Sequence, residues 1–430
     1  MSSPVAATAL DDAHQTAWQH LLLIPLLALS SVSGHALGAA WALFVLLGLW
    51  QLVTACKNPS QTLQQLPVPM LWLGVTLLAF AAKAFITIYW HDSWQERHGE
   101  IRMLLGALAT CGACAHWRLR PQQKSILCVR LSHALSLSAL LGLGWVIWRG
   151  RHGLPTHPIP WAGVMALTSC WLLAVGLDGT LKPAHRKWWL GGGFAALLAV
   201  LASQSRGAYA IAAWWLGILI WKAWQRRHAR PTWPQVGKYA LAMLAILALL
   251  SQTPVLERTR QSLVNAASEL SHSLHAPADG ANTSVGARMY MWQRSLAAVA
   301  QSPWLGHGGQ GTVVLMQQWA QDARSTEIAS LAHVHNEYLQ QWLEHGLPGL
   351  ASQLAYVIGL LTLVVLLHRS GQATASLALG GMWVMFSTGS LSNVNFIHNY
   401  YTSGLSLMCS LGMVLLARPT FTDACAFKPR

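Results

Sequence analysis

Charge is scarce in this chain. Asp, Glu, Lys and Arg make up 10% of its 430 residues, against roughly a quarter in an ordinary soluble domain. Acids are scarcer than bases, 14 against 28. A solvated multidomain protein is excluded by that composition. A magnesium- or manganese-type site, which prefers clustered carboxylates, is disfavoured too, because Asp279, Asp322, Glu327, Glu337 and Glu344 are scattered along the one long polar stretch. Cysteine supplies no disulfide framework: six of the 7 lie in or beside apolar runs, and Cys425 is in the tail. Cys111-x-x-Cys114 has the spacing of a redox motif but falls inside an apolar helix, where two small buried thiols one turn apart is the better reading. Residues 1–17 are polar without a basic start, so no cleavable signal peptide is expected.

Apolar residues are abundant, at 53%, and 23 residues are Trp. Runs of near twenty apolar residues recur, each long enough to cross a bilayer, and helix is the default spanning form because lipid offers backbone groups no partner. Twelve spans are expected: 18–33, 36–55, 68–90, 101–117, 126–148, 159–178, 188–204, 208–224, 236–254, 347–367, 373–391 and 397–417. The seventh and eighth form one apolar run broken only at Ser203-Gln204-Ser205-Arg206-Gly207, which predicts a helical hairpin with Arg206 at its turn.

The net charge of +14 is split among short loops, so it does not point to nucleic acid. Positive-inside bias sets the orientation. With the N-terminus in the cytoplasm, Lys57, Arg118, Arg120, Lys124, Lys182, Arg186, Lys187, Lys222, Arg226, Arg227, Arg230, Arg369, Arg418, Lys428 and Arg430 all fall inside. The expected layout is therefore nine spans in 1–254, an outward-facing segment 255–346 with short helices, and three spans and a cytoplasmic tail in 347–430.

The outer segment is not low-complexity. Residues 255–275 could form an amphipathic helix on the membrane, 276–286 read as a loop, and 287–301 as a helix stopped by Ser302-Pro303. Gly306-x-Gly308-Gly309-x-Gly311 is phosphate-loop-like in composition only, since no βαβ unit surrounds it. Residues 335–345 return to helix, with Tyr338, Leu339, Trp342 and Leu343 on one face and Gly346 and Pro348 ending it.

His335 stands at or just before the first turn of that helix, where the helix dipole disfavours an imidazolium and favours a neutral proton acceptor. The bland alternative is a surface histidine in a segment that also holds His272, His275, His307, His333 and His345. His333-x-His335 is a possible metal-ligand pair, though it lacks an acidic partner. Arg206 and Arg288 would suit a phosphate or diphosphate, which a planar guanidinium binds bidentately. Their alternatives are snorkelling to lipid phosphate and a solvated helix face. Lys83, inside the third span, is a functional candidate by its depth, or a residue snorkelling to the outer interface about a turn away. Arg97 and Arg102 flank the next outer loop and would add an anion-attracting rim, while His91, Asp92, His398, Asn399, Tyr400 and Tyr401 would mostly anchor the interface.

The run His335-Asn336-x-x-Leu339…Glu344-x-Gly346-x-x-Gly349 resembles the signature of the O-antigen ligase and polymerase superfamily. Ser205-Arg206-Gly207, Arg288 and the layout of twelve spans with one large outer loop resemble that family too. The resemblance implies an all-α, GT-C-type integral membrane glycosyltransferase in a bacterial inner membrane, with its site facing the periplasm. It implies undecaprenyl-diphosphate-linked O-antigen as donor, lipid A–core as acceptor, inversion of configuration, and no metal, cofactor or obligatory protein partner. It gives His335 the base role and Arg206 and Arg288 the diphosphate roles. Lys83, Arg102, Asn336 and His398 are weaker candidates without a motif behind them. An O-antigen polymerase or a protein oligosaccharyltransferase would use the same donor. A lipid-linked-sugar flippase would need charge along a central path, and midplane charge is nearly absent from the sequence.

Overall fold

The protein is described by a computed structural model over residues 22–56, 66–118, 121–179, 182–225, 279–417 and, between them, 261, 264–265 and 268–269. The ninth expected span, most of the amphipathic stretch 255–275, Cys425, and Lys57, Arg120, Arg226, Arg227, Arg230, Arg418, Lys428 and Arg430 lie outside the described residues. Among the described residues there is helix and no strand, and five helices are long and apolar enough to cross a membrane.

The chain runs through α1 (Leu23–Ala28), α2 (Ala36–Cys56), α3 (Pro67–Trp90), α4 (His98–Arg118), α5 (Pro121–Arg149), α6 (Pro158–Gly176), α7 (Pro183–Ala202) and α8 (Ala210–Gln225). After the gap come α9 (Ser284–Gln301), α10 (Gly308–Asp322), α11 (Thr326–Ala329), α12 (Glu337–Arg369), α13 (Ala373–Gly389) and α14 (Asn399–Leu411), the last running into a wider π turn at Gly412–Leu416. Among the described residues of the first expected span, 22–33, helix covers Leu23–Ala28, and the chain then turns at Ser30 and Ser31, whose hydroxyls bond to Ser138 on α5.

Helix α6 is the pillar of the bundle. Every residue from Pro160 to Gly176 is buried. It carries Thr168 and Ser169, whose hydroxyls return to their own helix at Val164 O and Ala166 O. A buried polar group without a partner costs several kcal/mol, on the order of the loss of a full hydrogen bond, so these hydroxyls are tolerated because they bond locally. Helices α5, α7, α13 and α14 pack around it. Lipid tails are as apolar as Leu, so close approach through small residues carries much of such packing. Gly163 faces the Tyr401 ring, Gly193 faces Leu173, and Gly106 faces Ser406. The tightest seam joins α2 to α4: a Cβ on Gly48 would come within 2.5 Å of Ala109 O, and one on Gly112 within 2.6 Å of Leu52 N.

Helix α12 is two helical parts, as expected. The upper part ends at Gly346, whose backbone is non-helical, and a lower part follows through Pro348 to Arg369. Gly346 has φ +60, and any side chain there would strike Trp304 O. Pro348 then occupies the first turn of the lower part, where its missing N–H is no loss. The lower part, 347–369, at about 1.5 Å per residue is by itself long enough for a hydrocarbon core of about 30 Å, so the part before the break projects beyond it. That upper part joins a second, smaller core made by Ala287, Tyr290, Met291, Val299, Met316, Trp319, Ile328, Val334, Leu339 and Leu343. This core holds α9, α10, α11 and the start of α12 at one end of the bundle.

Replacing Gly112 with Val is expected to force α2 and α4 apart and destabilise the fold by about 1–3 kcal/mol. A lowered unfolding midpoint of the purified protein in detergent would show it; an unchanged midpoint would contradict the seam.

Candidate active site

The end of the bundle that carries the small core also carries the loops 91–97, 150–157, 203–207 and 390–398. His335 sits in their midst, and its position is fixed from both sides. Before it, Val334 is fully buried, donates its N–H to Gln340 Oε1 (3.0 Å), and accepts from Trp292 Nε1 (2.8 Å). After it, Asn336 caps α12 by accepting from Leu339 N (3.1 Å). Glu337 N donates to Ser390 O at 2.7 Å. The Glu337 carboxylate, fully buried, accepts from Gln341 Nε2 (2.8 Å) and from the backbone N–H groups of Asn395 and Phe396. His335 is left with φ +55, a left-handed backbone that non-glycine residues adopt rarely and mostly where surroundings enforce it.

This clasp brings the 390–396 loop onto His335. Asn393 lies beside both His333 and His335, whose rings are 4.3 Å apart. Both ring nitrogens of His333 and Nδ1 of His335 are buried without a hydrogen-bond partner. Burial, then His333 and Arg288, pushes the His335 imidazole down to about 3. Burial also takes His333 down to about 4. His335 is thus a neutral, buried imidazole.

Arg288 lies one turn into α9, whose start is capped by the Thr283 hydroxyl at Gly286 N (3.1 Å). It precedes Trp292 by four residues, so it shares the face that reaches Val334. It is half-buried, not on a solvated face. Burial, then the nearby Arg206, weakens its hold on its proton. Arg206 follows a turn through Gln204 (φ +57) and Ser205, as the hairpin reading required. A Cβ on Gly207 would meet Ser392 Oγ, so the Arg206 turn abuts the same loop that Glu337 clasps. His335, Arg288 and Arg206 therefore share one basin. Burial, His333 and His157 push His398, the residue before α14, down to about 4, and its ring is parallel to that of His157 at 6.0 Å.

Three other candidates lie elsewhere. Asn336 spends its side-chain oxygen on capping. Arg102 is bound to Ser403 Oγ (3.1 Å) and His98 O (3.1 Å), and lies 5.5 Å from the centre of the Trp41 ring. Lys83 does not snorkel: its side chain is 1% exposed, turned inward, and paired with Glu100 at 3.5 Å. It donates to Gln341 and lies 3.2 Å from His345 Nδ1. Arg97 faces the other ring nitrogen of His345 at 2.7 Å and Asp92 at 3.5 Å, so it is an inner partner and not a rim residue. Glu337 and Glu344, scattered in sequence, both lie among the charges around Lys83.

Residues 191–354 match the family described as O-Antigen ligase. That stretch carries the O-antigen ligase family domain. Arg206, Arg288 and His335 fall within it; Lys83, Arg102 and His398 do not. An uncharacterized protein of Haemophilus influenzae is 30% identical over 78 residues, covering 18% of this chain and 20% of that relative. With its apolar helices and this domain, the chain is a membrane protein.

Sequence reasoning passed over Glu337, Asn393, Arg151 and His157. Glu337 looks like an ordinary first-turn acid, and the backbone it holds is 58 or 59 residues away. Arg151 did leave a signal: it lies outside under the positive-inside assignment.

Buried His335 and half-buried His333 and His398 make stability depend on pH. Their folded values, about 3 for His335 and about 4 for His333 and His398, lie below the ordinary 6.5. The unfolded chain therefore takes up protons first. The stability tied to these groups is present above about pH 6.5 and is lost as pH falls toward about 3–4. The unfolding midpoint is expected to drop between about pH 7 and about pH 5, and to drop less in His333→Gln/His398→Gln. An equal drop in the variant would refute this.

Proposed function

We propose that the protein is an inverting glycosyltransferase of the bacterial inner membrane. In this reading it has twelve spans of GT-C type and its site opens to the periplasm. It moves O-antigen from undecaprenyl diphosphate onto lipid A–core, completing lipopolysaccharide. The observation that carries the reading is a buried neutral His335, held in a left-handed backbone beside Arg288 and Arg206, inside a stretch that matches the O-Antigen ligase family.

The acceptor sugar's hydroxyl oxygen attacks the anomeric carbon and passes its proton to His335. The bond from that carbon to the phosphate oxygen breaks with its electron pair, configuration inverts, and undecaprenyl diphosphate leaves. Arg206 and Arg288 take the charge that grows on the leaving phosphate. Positioned cations of this kind often supply the largest share of transition-state stabilisation, and here they take the place a metal would otherwise fill.

An imidazole at about 3 is a feeble base, since a catalytic base works best near the operating pH. The donor corrects this. Its phosphate charge sits against Arg288, which helps to depress His335, and a nearby negative charge raises a histidine's pKa. The base is thereby strengthened when the substrate to be attacked is in place.

Reconstitution with lipid-linked O-antigen and lipid A–core, without added divalent metal, is expected to give capped lipopolysaccharide; longer lipid-linked polymer would identify a polymerase. His335→Ala is expected to lower turnover by roughly a hundredfold or more, the usual worth of a general base. Near-full activity in that variant would end the base assignment.

A further inference from the structure

Four polar atoms around His335 are sealed from water without a hydrogen-bond partner: its own Nδ1, both ring nitrogens of His333, and Oδ1 of Asn393. Roughly nine in ten buried polar atoms or more are partnered in folded proteins, so this cluster, with its two rings 4.3 Å apart, calls for one explanation. Asn393 stands in the 390–396 loop and is 2% exposed. A chain of donors orients its amide. Gln353 Nε2 donates to Ser390 Oγ at 3.3 Å, Asn395 Nδ2 donates to the same hydroxyl at 3.2 Å, and Asn393 Nδ2 donates to Asn395 Oδ1 at 3.1 Å. Asn395 thus presents its oxygen, and Asn393 answers with its amino group. The Asn393 carbonyl oxygen is the end left over, and both imidazoles are within its reach.

We propose that Asn393 is a positioning residue for His335: its Oδ1 accepts from His335 Nδ1–H and so holds the ring in the tautomer whose bare nitrogen is Nε2. Nδ1 is the nitrogen sealed among these groups, and Nε2 is not. A neutral histidine takes up a proton only through the nitrogen that carries none, and the bond made by the other nitrogen decides which that is. With its proton on Nε2, His335 would have its lone pair walled in at Nδ1 and could not serve as a base. An acceptor at Nδ1–H also favours the imidazolium, which eases proton uptake at Nε2. Asn393 accordingly raises the His335 imidazole, against burial, His333 and Arg288, which lower it. Oδ1 has two lone pairs, so His333 can share it. The Glu337 carboxylate gives the bond its accuracy. It grips the backbone at Asn395 and Phe396, and Glu337 opens the helix two residues after His335. Asn393 and His335 are therefore tied to one carboxylate. Asn393 lies outside the stretch 191–354 that matches the family.

The catalytic consequence rests on the ligase reading, but the tautomer does not, so the test reads both. Full-length protein carrying histidine labelled with heavy nitrogen is placed in nanodiscs for solid-state NMR near neutral pH. The His335 and His333 signals are assigned by their loss in His335→Gln and His333→Gln. Wild-type His335 is expected to carry its proton on Nδ1. Asn393→Leu, which keeps the bulk and removes the acceptor, is expected to lose that preference and to lower kcat roughly tenfold to a hundredfold, the worth of a buried hydrogen bond, with donor KM nearly kept. Asn393→Asp keeps an acceptor for Nδ1–H but gives up the donor to Asn395. It is expected to restore most of the lost kcat and the Nδ1 proton. Its negative charge raises the pKa of His335, so the acid limb of the pH–rate profile moves to higher pH. A wild-type His335 with its proton on Nε2 would overturn the proposal, whether or not the Leu variant folds. So would a response of His333 alone to the substitutions. An Asp variant as impaired as Leu, with the acid limb unmoved, would reduce Asn393 to a support for the loop and overturn it too. A wild type with the proton on Nδ1 that transfers no O-antigen would instead overturn the ligase reading, and with it the catalytic consequence of this bond.

Discussion

Positive charge gathered where water is scarce is the constraint on which this structure turns. At one end of the bundle, Arg206 is the strongest charged neighbour of Arg288, ahead of Glu327, Arg151 and Glu269. The histidines beside them cannot add to that charge, and burial holds them neutral. A protein can keep such a field only if the backbone beneath it is firmly held. Here the holding is done by the side chain of Glu337, buried at the start of α12 and gripping the backbone at Asn395 and Phe396.

A second polar cluster lies nearby and has the opposite character. Lys83, Glu100, Arg97, Asp92, His345 and Glu344 lie together with acids and bases in near balance. Groups so paired have their partners inside the protein, and breaking such a buried set is destabilising by roughly 3–5 kcal/mol. Lys83 reaches the clasp through Gln341, which bonds to Glu337. Balanced charge thus reads as scaffold. On the proposed reading, the donor's diphosphate meets Arg288 beside His335 and makes His335 a useful base at the same moment.

The helices were legible because each is written locally, as a run of apolar residues of bilayer length. Arg206 at a hairpin turn and His335 just ahead of a helix could be read for the same reason. What escaped depends on residues far apart in the chain. Lys83 looked like a snorkelling lysine because its partners come from α4 and α12. Glu337 could not be told from a dipole-favoured acid, because its ligands are backbone amides on another loop. The break at Gly346 was legible as a helix end, but the docking of Trp304 against it is invisible in sequence. Arg151 could have been noticed as a basic residue on the wrong side for topology, but a helix-end arginine has a ready explanation in lipid phosphate.

The central claim is that donor charge turns a suppressed histidine into a base. The most direct measurement is proton uptake on donor binding without acceptor, by calorimetry in buffers of different ionisation enthalpy. The lipid-linked donor is a diphosphate diester and has no phosphate proton to exchange near neutral pH. The account predicts net proton uptake at mildly acidic pH, and a clear reduction of it in His335→Gln. Binding with no proton uptake, or with uptake unchanged in that variant, would contradict it.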